Sequence, residues 1–398
     1  METMKTVTLR GKGVSRLRRD VPLLRGEDLA VPVDHLPEGT LLRLQDGKGR
    51  FVATAFLGRQ NRGLGWVLTR DASEPVDGAF FARRIGEAVV RREGFFRRKE
   101  ETDCFRIFNG EADGIGGLTV DLYGDYLLVN WYSRGVRRFA PEILDGLKAV
   151  PGCVGIYGKD RFSDAVSDPG TDSWLWGRRG DFPLAVRENG VVLLAHLNDG
   201  AMTGFFPDQR EVRLALTERW AAGNRVLNTF SYTGAFSVFA RLGGAASTTS
   251  VDLANRSRPA TQAHFRANGI DPDGEEIIVE DVFRYFRYAK RHGRRFDLII
   301  FDPPSFARAG RRVFRAQKDY GHLVGQALDL LEPGGRILVS TNCALLPAPA
   351  FSDMVETAVR DRGRTPVLLE QFGLPADYPV HPGFPEGDYL KVSLYEVP

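Results

Sequence analysis

From Gly200 onward the sequence alternates between short apolar runs and segments with helical spacing. The apolar runs are NRVLNTF, ASTTSVDLA, EEIIVEDVF, FDLIIFD, RILVSTN, TPVLLEQF and DYLKVSLYEV. Helical segments separate most of these runs, and this alternation predicts a parallel, doubly wound α/β sheet with helices on both faces. Only a loop separates the last two runs, so we expect them to pair as an antiparallel hairpin at the end of the sheet.

Acidic residues follow three of the predicted strands. Asp252 ends the second strand, Asp281 follows the third and Asp302 closes the fourth. A single acid at such a position is more often a helix cap or a turn residue. The carboxyl ends of parallel strands share one edge of the sheet, and that edge is where such folds bind ligands. Three acids in succession therefore favour a binding site.

The loop after the first predicted strand restricts which ligand this site binds. It reads SYTGAF and has one glycine, Gly234, where a dinucleotide-binding loop has three for close approach to a diphosphate. S-adenosylmethionine has no phosphate, so a looser loop suffices. Asp252 lies 24 positions after Asn228, about where a ribose-binding acid falls, and Asp281 is placed to meet an adenine amino group. The pattern predicts S-adenosylmethionine and disfavours a nicotinamide dehydrogenase.

The stretch FDPPSF places Asp302 directly before Pro303 and Pro304. Prolines fix the backbone and are unsuited to the interior of a helix or sheet. A turn would explain them, but an active site explains the buried strand, the acid and the aromatic residue together. We interpret the two prolines as a rigid wall for a base flipped out of RNA, with Phe306 able to stack on it.

The first two hundred residues are organised differently. Alternating runs around the turn DGKGR predict a small β-barrel over residues 1–78. The segment GAFFARRIGEAVVRREGFF has helical spacing, with Phe81 and Ile85 on one face. Hairpins and a helix over RRFAPEILDGLKAV predict a small α+β domain over residues 79–197, followed by the α/β domain over residues 198–398. Three domains fit a chain of 398 residues.

Composition argues against membrane, secreted and metal-dependent classes. The N-terminus lacks the apolar core of a signal peptide, and no apolar stretch is long enough to span a bilayer. The three cysteines lie far apart and the six histidines are scattered, so we expect no disulfide framework and no metal site. The sequence therefore predicts a cytoplasmic protein.

Basic residues are unevenly distributed. Lys+Arg total 54 against 51 Asp+Glu, so the net charge of +3 says little by itself. However, arginines and lysines cluster within residues 5–19, 91–99 and 308–318, with few acids beside them. One such cluster is usually a solvated face. Three in separate segments favour a polyanionic partner.

Four motifs carry a resemblance to a known family. TGFFPDQR, VLNTFSYTGAFSVFA, FDLIIFDPPSF and DYPVHPGFPEGDYLK resemble the bacterial class I S-adenosylmethionine-dependent 23S ribosomal RNA cytosine-C5 methyltransferases. The resemblance covers nearly the whole chain. It implies a PUA-like RNA-binding barrel, a middle domain and a Rossmann-like methyltransferase domain whose seven-stranded sheet ends in an antiparallel hairpin. It also implies large-subunit ribosomal RNA as the partner.

The resemblance assigns roles to individual residues. Those expected to bind S-adenosylmethionine are Gln209, Arg210, Asn228, Phe230, Tyr232, Thr233, Gly234, Asp252, Asp281 and Asp302. Those expected to contact the target base or flanking RNA are Pro303, Pro304, Ser305, Phe306, Arg308, Arg311 and Arg312.

Cytosine methylation requires a nucleophile, because C5 becomes reactive only after a thiolate adds to C6. RILVSTNCALL offers Cys343 just past the fifth strand, and we expect Cys343 and Asp302 to be the catalytic residues. The family usually has Ser-Cys-Ser here, whereas this chain has Asn342-Cys343-Ala344. Ser305 occupies the position where other RNA cytosine methyltransferases have a second cysteine.

Two alternative functions stay open. Cys343 is also compatible with a small buried hydrophobic residue. In that case the same Asp-Pro-Pro-aromatic pattern suits methylation of a guanine nitrogen without a covalent step, with Asn342 as the polar group. An RNA-binding or ribosome assembly factor that retains the fold without turnover is a hypothesis from another class. The sequence leaves the oligomeric state open, a homodimer included.

Overall fold

The computed structural model describes residues 4–60, 63–162, 173–200, 202–309 and 312–398. The described residues form two compact units. The first unit comprises residues 1–187, 195–203 and 376–387, and the second comprises residues 188–194, 204–375 and 388–398.

The first unit contains two five-stranded sheets and several helices. Its strands are β1 (Lys5–Thr8), β2 (Leu23–Leu24), β3 (Leu41–Gln45), β4 (Phe51–Gln60), β5 (Gly63–Thr69), β6 (Cys104–Asn109), β7 (Leu118–Tyr123), β8 (Tyr126–Trp131), β9 (Gly155–Asp160) and β10 (Trp174–Gly177). Its helices are α1 (Gly11–Arg18), α2 (Gly78–Arg91), α3 (Glu93–Arg97), α4 (Arg134–Arg137) and α5 (Ala140–Leu147). A separate hairpin pairs β11 (Leu184–Glu188) with β12 (Val191–Ala195).

The N-terminal sheet has the order β1-β3-β4-β5-β2, with β1 parallel to β3 and the other pairs antiparallel. The predicted DGKGR turn joins β3 to β4. Asp46 closes that turn, since its side chain accepts hydrogen bonds from the backbone N–H groups of Lys48 at 2.9 Å and Arg50 at 3.0 Å. The core of the sheet is made of fully buried aliphatic residues such as Leu42 and Leu57.

The second sheet of the first unit has the order β10-β9-β8-β7-β6, and β8 and β9 are its parallel pair. Helix α2 begins at its cap Asp77, whose carboxylate accepts from the N–H of Phe80 at 3.0 Å. Its buried face includes Phe81 and Ile85, as the helical spacing predicts. One hydrophobic cluster joins Phe56 of β4 to these side chains. The predicted boundary near residue 78 lies inside this unit, and the three-domain division stays a prediction.

Arg92 shows that a residue in a basic cluster of the sequence is not always exposed on the surface. Its side chain is only 2% exposed and donates to both carboxylate oxygens of Asp113, at 2.9 and 2.7 Å. It also donates to the backbone carbonyl of Asp377 at 3.0 Å, which fixes the C-terminal segment 376–387 in the first unit. In the same cluster, Lys99 pairs with Asp125 at 2.7 Å.

The second unit contains the seven-stranded sheet and a separate hairpin. Its strands are β13 (Arg225–Thr229), β14 (Ser247–Asp252), β15 (Glu276–Val279), β16 (Phe296–Phe301), β17 (Phe306–Ala309), β18 (Arg312–Arg315), β19 (Leu331–Thr341), β20 (Val367–Phe372) and β21 (Lys391–Val397). Its helices are α6 (Arg210–Ala215), α7 (Ala235–Leu242), α8 (Ser257–Ala267), α9 (Val282–Arg291), α10 (Ala316–Ala327) and α11 (Ala348–Arg360).

The seven-stranded sheet has the order β15-β14-β13-β16-β19-β21-β20. Neighbouring strands from β15 to β19 are parallel, and β21 is antiparallel to both β19 and β20. This confirms the predicted sheet with an antiparallel hairpin at its end. The connection between β20 and β21 is not a simple loop, because it includes residues 376–387 of the first unit.

None of the helices in the described part of the chain combines the length and the apolarity needed to cross a lipid bilayer.

Replacing Arg92 with Met should destabilise the protein by about 3 kcal/mol, because Asp113 then loses its buried partner. We expect a loss at the low end of the range for a broken buried ion pair, because Arg91 still contacts Asp113 at 2.9 Å. The matched control is Arg97→Met, which removes an exposed pair with Glu93 and should cost less than about 1 kcal/mol. Urea unfolding followed by circular dichroism measures both values, and equal costs would contradict the buried role of Arg92.

Candidate functional site

The carboxyl ends of three neighbouring strands meet at one point of the sheet edge. Thr229 at the end of β13 pairs with Val251 of β14 on one side and with Phe301 of β16 on the other. The residues that follow each strand therefore lie side by side. Two of them are Asp252 and Asp302, the acids that the sequence placed at this edge.

The loop after β13 has an unusual backbone. Phe230 and Tyr232 adopt positive φ values of 55° and 52°, which residues with a side chain rarely do. Each such residue costs about 1–2 kcal/mol and persists only where its neighbours fix it. Here the Asp252 carboxylate accepts from the Tyr232 N–H at 2.9 Å, and the Ser231 N–H donates to the Val251 carbonyl at 3.0 Å. Strain of this kind is concentrated at ligand-binding sites.

The end of the same loop is shaped by close packing. The Thr233 hydroxyl donates to the carbonyl of Gly204, and the Thr233 carbonyl lies 2.9 Å from Nδ1 of buried His264. Gly234 has a φ of 78° and begins helix α7. A Cβ atom at Gly234 would lie 2.4 Å from Cγ2 of Thr261. Both the backbone conformation and the packing therefore require glycine at this position.

Three of the predicted cofactor residues make structural hydrogen bonds. Asp252 also accepts from the Ala254 N–H, and burial raises the pKa of its carboxyl. Asp281 caps helix α9 by accepting from the Arg284 N–H at 3.0 Å. The buried Asn228 donates from its amide to the Ser237 hydroxyl at 2.9 Å. These bonds place the side chains, and their contacts with a cofactor stay predictions.

Asp302 lies in a strongly perturbed environment. Burial raises the pKa of its carboxyl to about 6, and hydrogen bonds from Ser340 and Gln209 oppose that rise. Gln209 is 4% exposed, and its amide nitrogen donates to the Ser340 hydroxyl at 3.2 Å. Its carbonyl oxygen Oε1 is buried and has no hydrogen-bond partner among the described residues. An acceptor of this kind fits a ligand that carries N–H groups.

The segment before α6 is fixed by an arginine that sequence reasoning missed. Arg213 forms a buried bidentate pair with Glu188, at 2.6 and 2.7 Å, and also donates to the Phe206 carbonyl at 2.8 Å. Arg210, which the sequence placed at the cofactor, is itself buried. The two arginines are one helical turn apart, so periodicity alone does not predict which of them forms the structural pair with Glu188.

A buried tyrosine joins the tips of β16 and β19. The Tyr320 hydroxyl donates to the Ser340 carbonyl at 2.8 Å, accepts from the Ser340 N–H at 3.0 Å and lies 3.3 Å from the Phe301 carbonyl. Phe301 precedes Asp302, so this hydroxyl fixes the strand end that carries the acid. No motif in the sequence indicates this role, because Tyr320 lies inside helix α10.

The loop after Asp302 is held on both sides. Pro303 is buried and Pro304 is exposed. The Ser305 hydroxyl lies 2.6 Å from Oδ1 of Asn342, and the Ser305 carbonyl accepts from the N–H of Ala316 at 3.0 Å. The loop that follows β16 is thereby tied to the loop that follows β19. Phe306, the next residue, is 59% exposed.

Cys343 lies on that second loop, half-buried against the core of the unit. Its carbonyl accepts from the Leu346 N–H at 3.0 Å and from the ammonium of Lys391 at 3.2 Å. Burial lowers the pKa of Lys391, and the negative charge of Asp388 and of an ionised Cys343 opposes that shift. Sequence reasoning missed Lys391, although it ends the GDYLK motif.

The basic residues that follow the Asp302 loop are only partly described. Arg311 lies outside the described residues, and for Arg308 and Arg312 the structure describes the backbone of β17 and β18 alone. Their predicted RNA contacts stay predictions. Within the described residues, no group of three His, Cys, Asp or Glu side chains is arranged to hold a metal ion.

This sheet order, with a strained loop after β13 and acids at the neighbouring strand ends, defines a class I methyltransferase. A family model described as S-adenosylmethionine-dependent methyltransferase matches residues 125–384, and a PUA-like domain model matches residues 7–70. The first match covers well over half of the chain. The chain belongs to this family of S-adenosylmethionine-dependent methyltransferases.

Named relatives and a solved structure support the assignment. The chain is 43% identical over 395 residues to "Putative ribosomal RNA large subunit methyltransferase YwbD" of Bacillus subtilis, covering 99% of this chain and 100% of that protein. It is 33% identical to "Ribosomal RNA large subunit methyltransferase I" of Cronobacter sakazakii, covering 98% of each. A crystal structure of "SMU.776, a putative methyltransferase complexed with SAH" superposes with a TM-score of 0.90 at 37% identity, covering 99% of this chain and 100% of that one.

These findings confirm several of the predictions. The family, the α/β methyltransferase fold with an N-terminal PUA-like domain, the enzyme class and S-adenosylmethionine as the methyl donor are all confirmed. The roles of individual site residues are not tested by them and are developed as proposals below.

Replacing Gly234 with Ala should weaken both folding and donor binding. The control is Gly269→Ala, because Gly269 has a similar φ of 71° but open space around it. That variant should lower the free energy of unfolding by only about 1–2 kcal/mol. Gly234→Ala should cost more and lower S-adenosylmethionine affinity about tenfold or more, since the new Cβ displaces Thr261. Adding Thr261→Ala should restore part of the loss. Urea unfolding and calorimetric donor titration measure these effects, and equal behaviour of the two glycine variants would contradict them.

Replacing Asp302 with Asn should raise Tm at about pH 8. Its pKa is raised by burial to about 6, so the ionised carboxylate is less stable in the folded protein than in the unfolded chain. This penalty is fully present above pH 6, shrinks as the pH falls towards the ordinary value of 3.8, and is absent below it. The gain in Tm should therefore disappear near pH 4.

The control for this experiment is Asp297→Asn at the start of the same strand. The hydrogen bond from Arg225 lowers the pKa of Asp297, so the folded protein favours its ionised form. That variant should lower Tm at about pH 8 and lose its effect in acid, the opposite sign from Asp302→Asn. Thermal melts at both pH values measure the two differences. A pH-independent effect of Asp302→Asn would refute the burial of its charge.

Proposed function

We propose that this methyltransferase forms 5-methylcytosine in large-subunit ribosomal RNA through a covalent adduct of Cys343. Two relatives that match nearly the whole chain are named for methylation of this RNA. The PUA-like match at residues 7–70 supports a structured RNA as substrate, because such barrels bind structured RNA. A ribosomal substrate in turn supports a cytoplasmic location.

The proposed chemistry begins with the Cys343 thiolate. It forms a carbon–sulfur bond to C6 of the cytosine, and the electron pair of the C5–C6 double bond makes C5 nucleophilic. When bound, S-adenosylmethionine supplies a methyl group whose bond to sulfur breaks as the bond to C5 forms. A base then removes the proton from C5, and the electron pair returns to the ring as the Cys343 thiolate leaves.

Asp302 is proposed to hold the base during this sequence. Its pKa of about 6 leaves the carboxyl mostly ionised at neutral pH, so it accepts hydrogen bonds from the N4 amino group and from a protonated N3. Protonation at N3 stabilises the charge that accumulates in the ring when the thiolate adds. Activity is therefore expected to fall as the pH drops through about 6.

Lys391 is proposed to support the nucleophile. Its ammonium contacts the backbone carbonyl of Cys343 at 3.2 Å and that of Tyr389 at 3.1 Å. Two backbone carbonyls hold this positive charge at the residue that bears the thiol, and a cation near a thiol favours the thiolate. If Cys343 were only a packing residue, it would need no cation such as the Lys391 ammonium.

One observation carries the proposal: the loops that hold Asp302 and Cys343 are tied together. The 2.6 Å contact between the Ser305 hydroxyl and Asn342 joins them one residue before Cys343. A base-binding acid and a thiol beside a cation at the same sheet edge are what the adduct requires.

Methylation of a guanine nitrogen is the second candidate function. The observation that favours it is Asn342, whose side chain is held by Ser305 at the exposed edge beside Asp302. An amide there could bind the Watson–Crick edge of guanine, and Cys343 would then take no part in the reaction.

Cys343→Ala should abolish formation of 5-methylcytosine while leaving the binding of S-adenosylmethionine intact. The product is measured by mass spectrometry of nucleosides from large-subunit ribosomal RNA. The RNA comes from a deletion strain that is complemented with the wild type or the variant.

RNA containing 5-fluorocytidine should form a stable adduct with the wild-type protein, because fluorine cannot leave as a proton. Cys153→Ala, which removes another half-buried cysteine, should behave like wild type. Unchanged 5-methylcytosine in Cys343→Ala would exclude the adduct, and a missing methylguanosine in the deletion strain would favour the second function.

Lys391→Met should slow alkylation of Cys343 by iodoacetamide at neutral pH by about three- to tenfold, because the thiolate loses its cation. Lys391→Arg should retain most of the rate, since it keeps the charge. Lys290→Met, at an exposed lysine paired with Asp329, is the matched control and should change nothing. Peptide mass spectrometry at Cys343 gives the rate directly. Equal rates for wild type and Lys391→Met would assign Lys391 a purely structural role.

A further inference from the structure

The β17–β18 hairpin places an aromatic ring and a guanidinium opposite each other. Phe306, the first residue of β17, pairs in register with Arg315, the last residue of β18. Directly opposite residues of an antiparallel pair project on the same face of the ribbon. Both side chains are exposed, Phe306 to 59%.

The other face of the hairpin packs on the methyltransferase core. Phe314 is buried, with its ring centroid 6.1 Å from that of Phe230 and 6.4 Å from that of Phe283. Successive residues of a strand alternate between faces, so the burial of Phe314 directs Arg315 outward. At this end of the hairpin, Phe314 is therefore fixed on the protein, whereas Phe306 and Arg315 are presented to solvent.

Hydrogen bonds hold the base of the hairpin in place. The Ala316 N–H donates to the Ser305 carbonyl at 3.0 Å, and the Arg315 N–H donates to the Asp319 carboxylate at 2.7 Å. Neither bond uses the Phe306 ring or the Arg315 guanidinium. A binding surface that is fixed before its ligand arrives loses little conformational entropy on binding.

The position of this pair relative to Asp302 identifies its ligand. Phe306 lies four positions after Asp302, so their Cα atoms lie within about 14 Å. A single exposed aromatic residue has no meaning by itself. Here it stands opposite a cation, just past the loop that is proposed to hold the target base. An aromatic ring stacks on any base, and a guanidinium fork binds two phosphate oxygens.

We propose that Phe306 and Arg315 form a subsite for the nucleotide next to the target base. The Phe306 ring stacks on the neighbouring base rather than on the target base, for which the sequence alone suggested it. The Arg315 guanidinium binds the phosphate that joins the two nucleotides. The proposal rests on the proposed function in that it takes RNA as the substrate. It commits to a single-stranded segment, because stacking on a side chain requires a base that is free of its own stack.

The test is equilibrium binding of a nonamer oligoribonucleotide with one cytidine at its centre, with S-adenosylhomocysteine present so that no methyl transfer occurs. Phe306→Ala should weaken binding about tenfold or more, and Phe306→Tyr should retain it. Arg315→Ala should weaken binding and reduce the slope of log affinity against log salt by about one, the value for one phosphate contact. Arg291→Ala is the matched control. Arg291 ends helix α9, directly before β16 begins, so it lies at the opposite edge of the sheet from Asp302.

A thermodynamic cycle makes the test specific to the neighbouring nucleotide. Removing the base on one side of the cytidine should weaken binding to wild type about tenfold but leave binding to Phe306→Ala unchanged. Replacing the adjoining phosphate with a methylphosphonate should likewise weaken binding to the wild-type protein but leave binding to Arg315→Ala unchanged. Thermal melts and donor titration of each variant confirm that the fold and the donor site are intact.

Each outcome decides the proposal. The proposal would be overturned if the protein and RNA changes had additive effects on the binding free energy in both cycles. Failure of the wild-type protein to bind the nonamer would also overturn it. If Phe306→Ala and Arg315→Ala lose activity on assembled ribosomal subunits but bind the nonamer as the wild-type protein does, the pair contacts a protein. That result would also overturn the proposal. If both cycles show coupling while no 5-methylcytosine is formed, the subsite stands and the proposed function fails.

Discussion

The Tyr320 hydroxyl is the interaction on which the geometry of the site depends. It binds the backbone of Ser340 on β19 and lies against the Phe301 carbonyl of β16, so it fixes the two strand tips relative to each other. Ser340 in turn hydrogen-bonds Asp302 and Gln209. Buried polar groups are costly to separate from their hydrogen-bond partners, so this connected set restricts how the two strand tips can move. Asp302 is thus positioned by the core.

The sequence contained enough information for the architecture of the second unit. Alternating runs and helical segments predicted its parallel strands, since that periodicity is local. The acids at the ends of β14 and β16 were also predictable, because strand order alone places them at one edge. Several structural features were not predictable. Arg92 looked like part of a basic surface but is buried against Asp113, and its bond to Asp377 joins residues 285 positions apart. Contacts at such separations leave no periodic signal.

The chemistry of the site was only partly visible for the same reason. Cys343 and Asp302 stand in recognisable motifs, whereas Lys391 is brought to Cys343 by the pairing of β19 with β21. The positive φ angles of Phe230 and Tyr232 could not be predicted, because these residue types disfavour that conformation. Local preference and tertiary structure disagree in this loop, and disagreement of this kind is typical of functional sites.

The location of β21 has a consequence for how the protein is made. This strand lies between β19 and β20 in the sheet, yet it follows both of them in the chain. Residues 376–387, which complete the first unit, lie between β20 and β21 in the chain. Neither unit can therefore close before these residues have been translated, even though domains generally fold in order from the N-terminus. The growing chain must keep the edge of β19 unpaired until β21 has emerged, so the two cores are completed by adjacent segments of the chain.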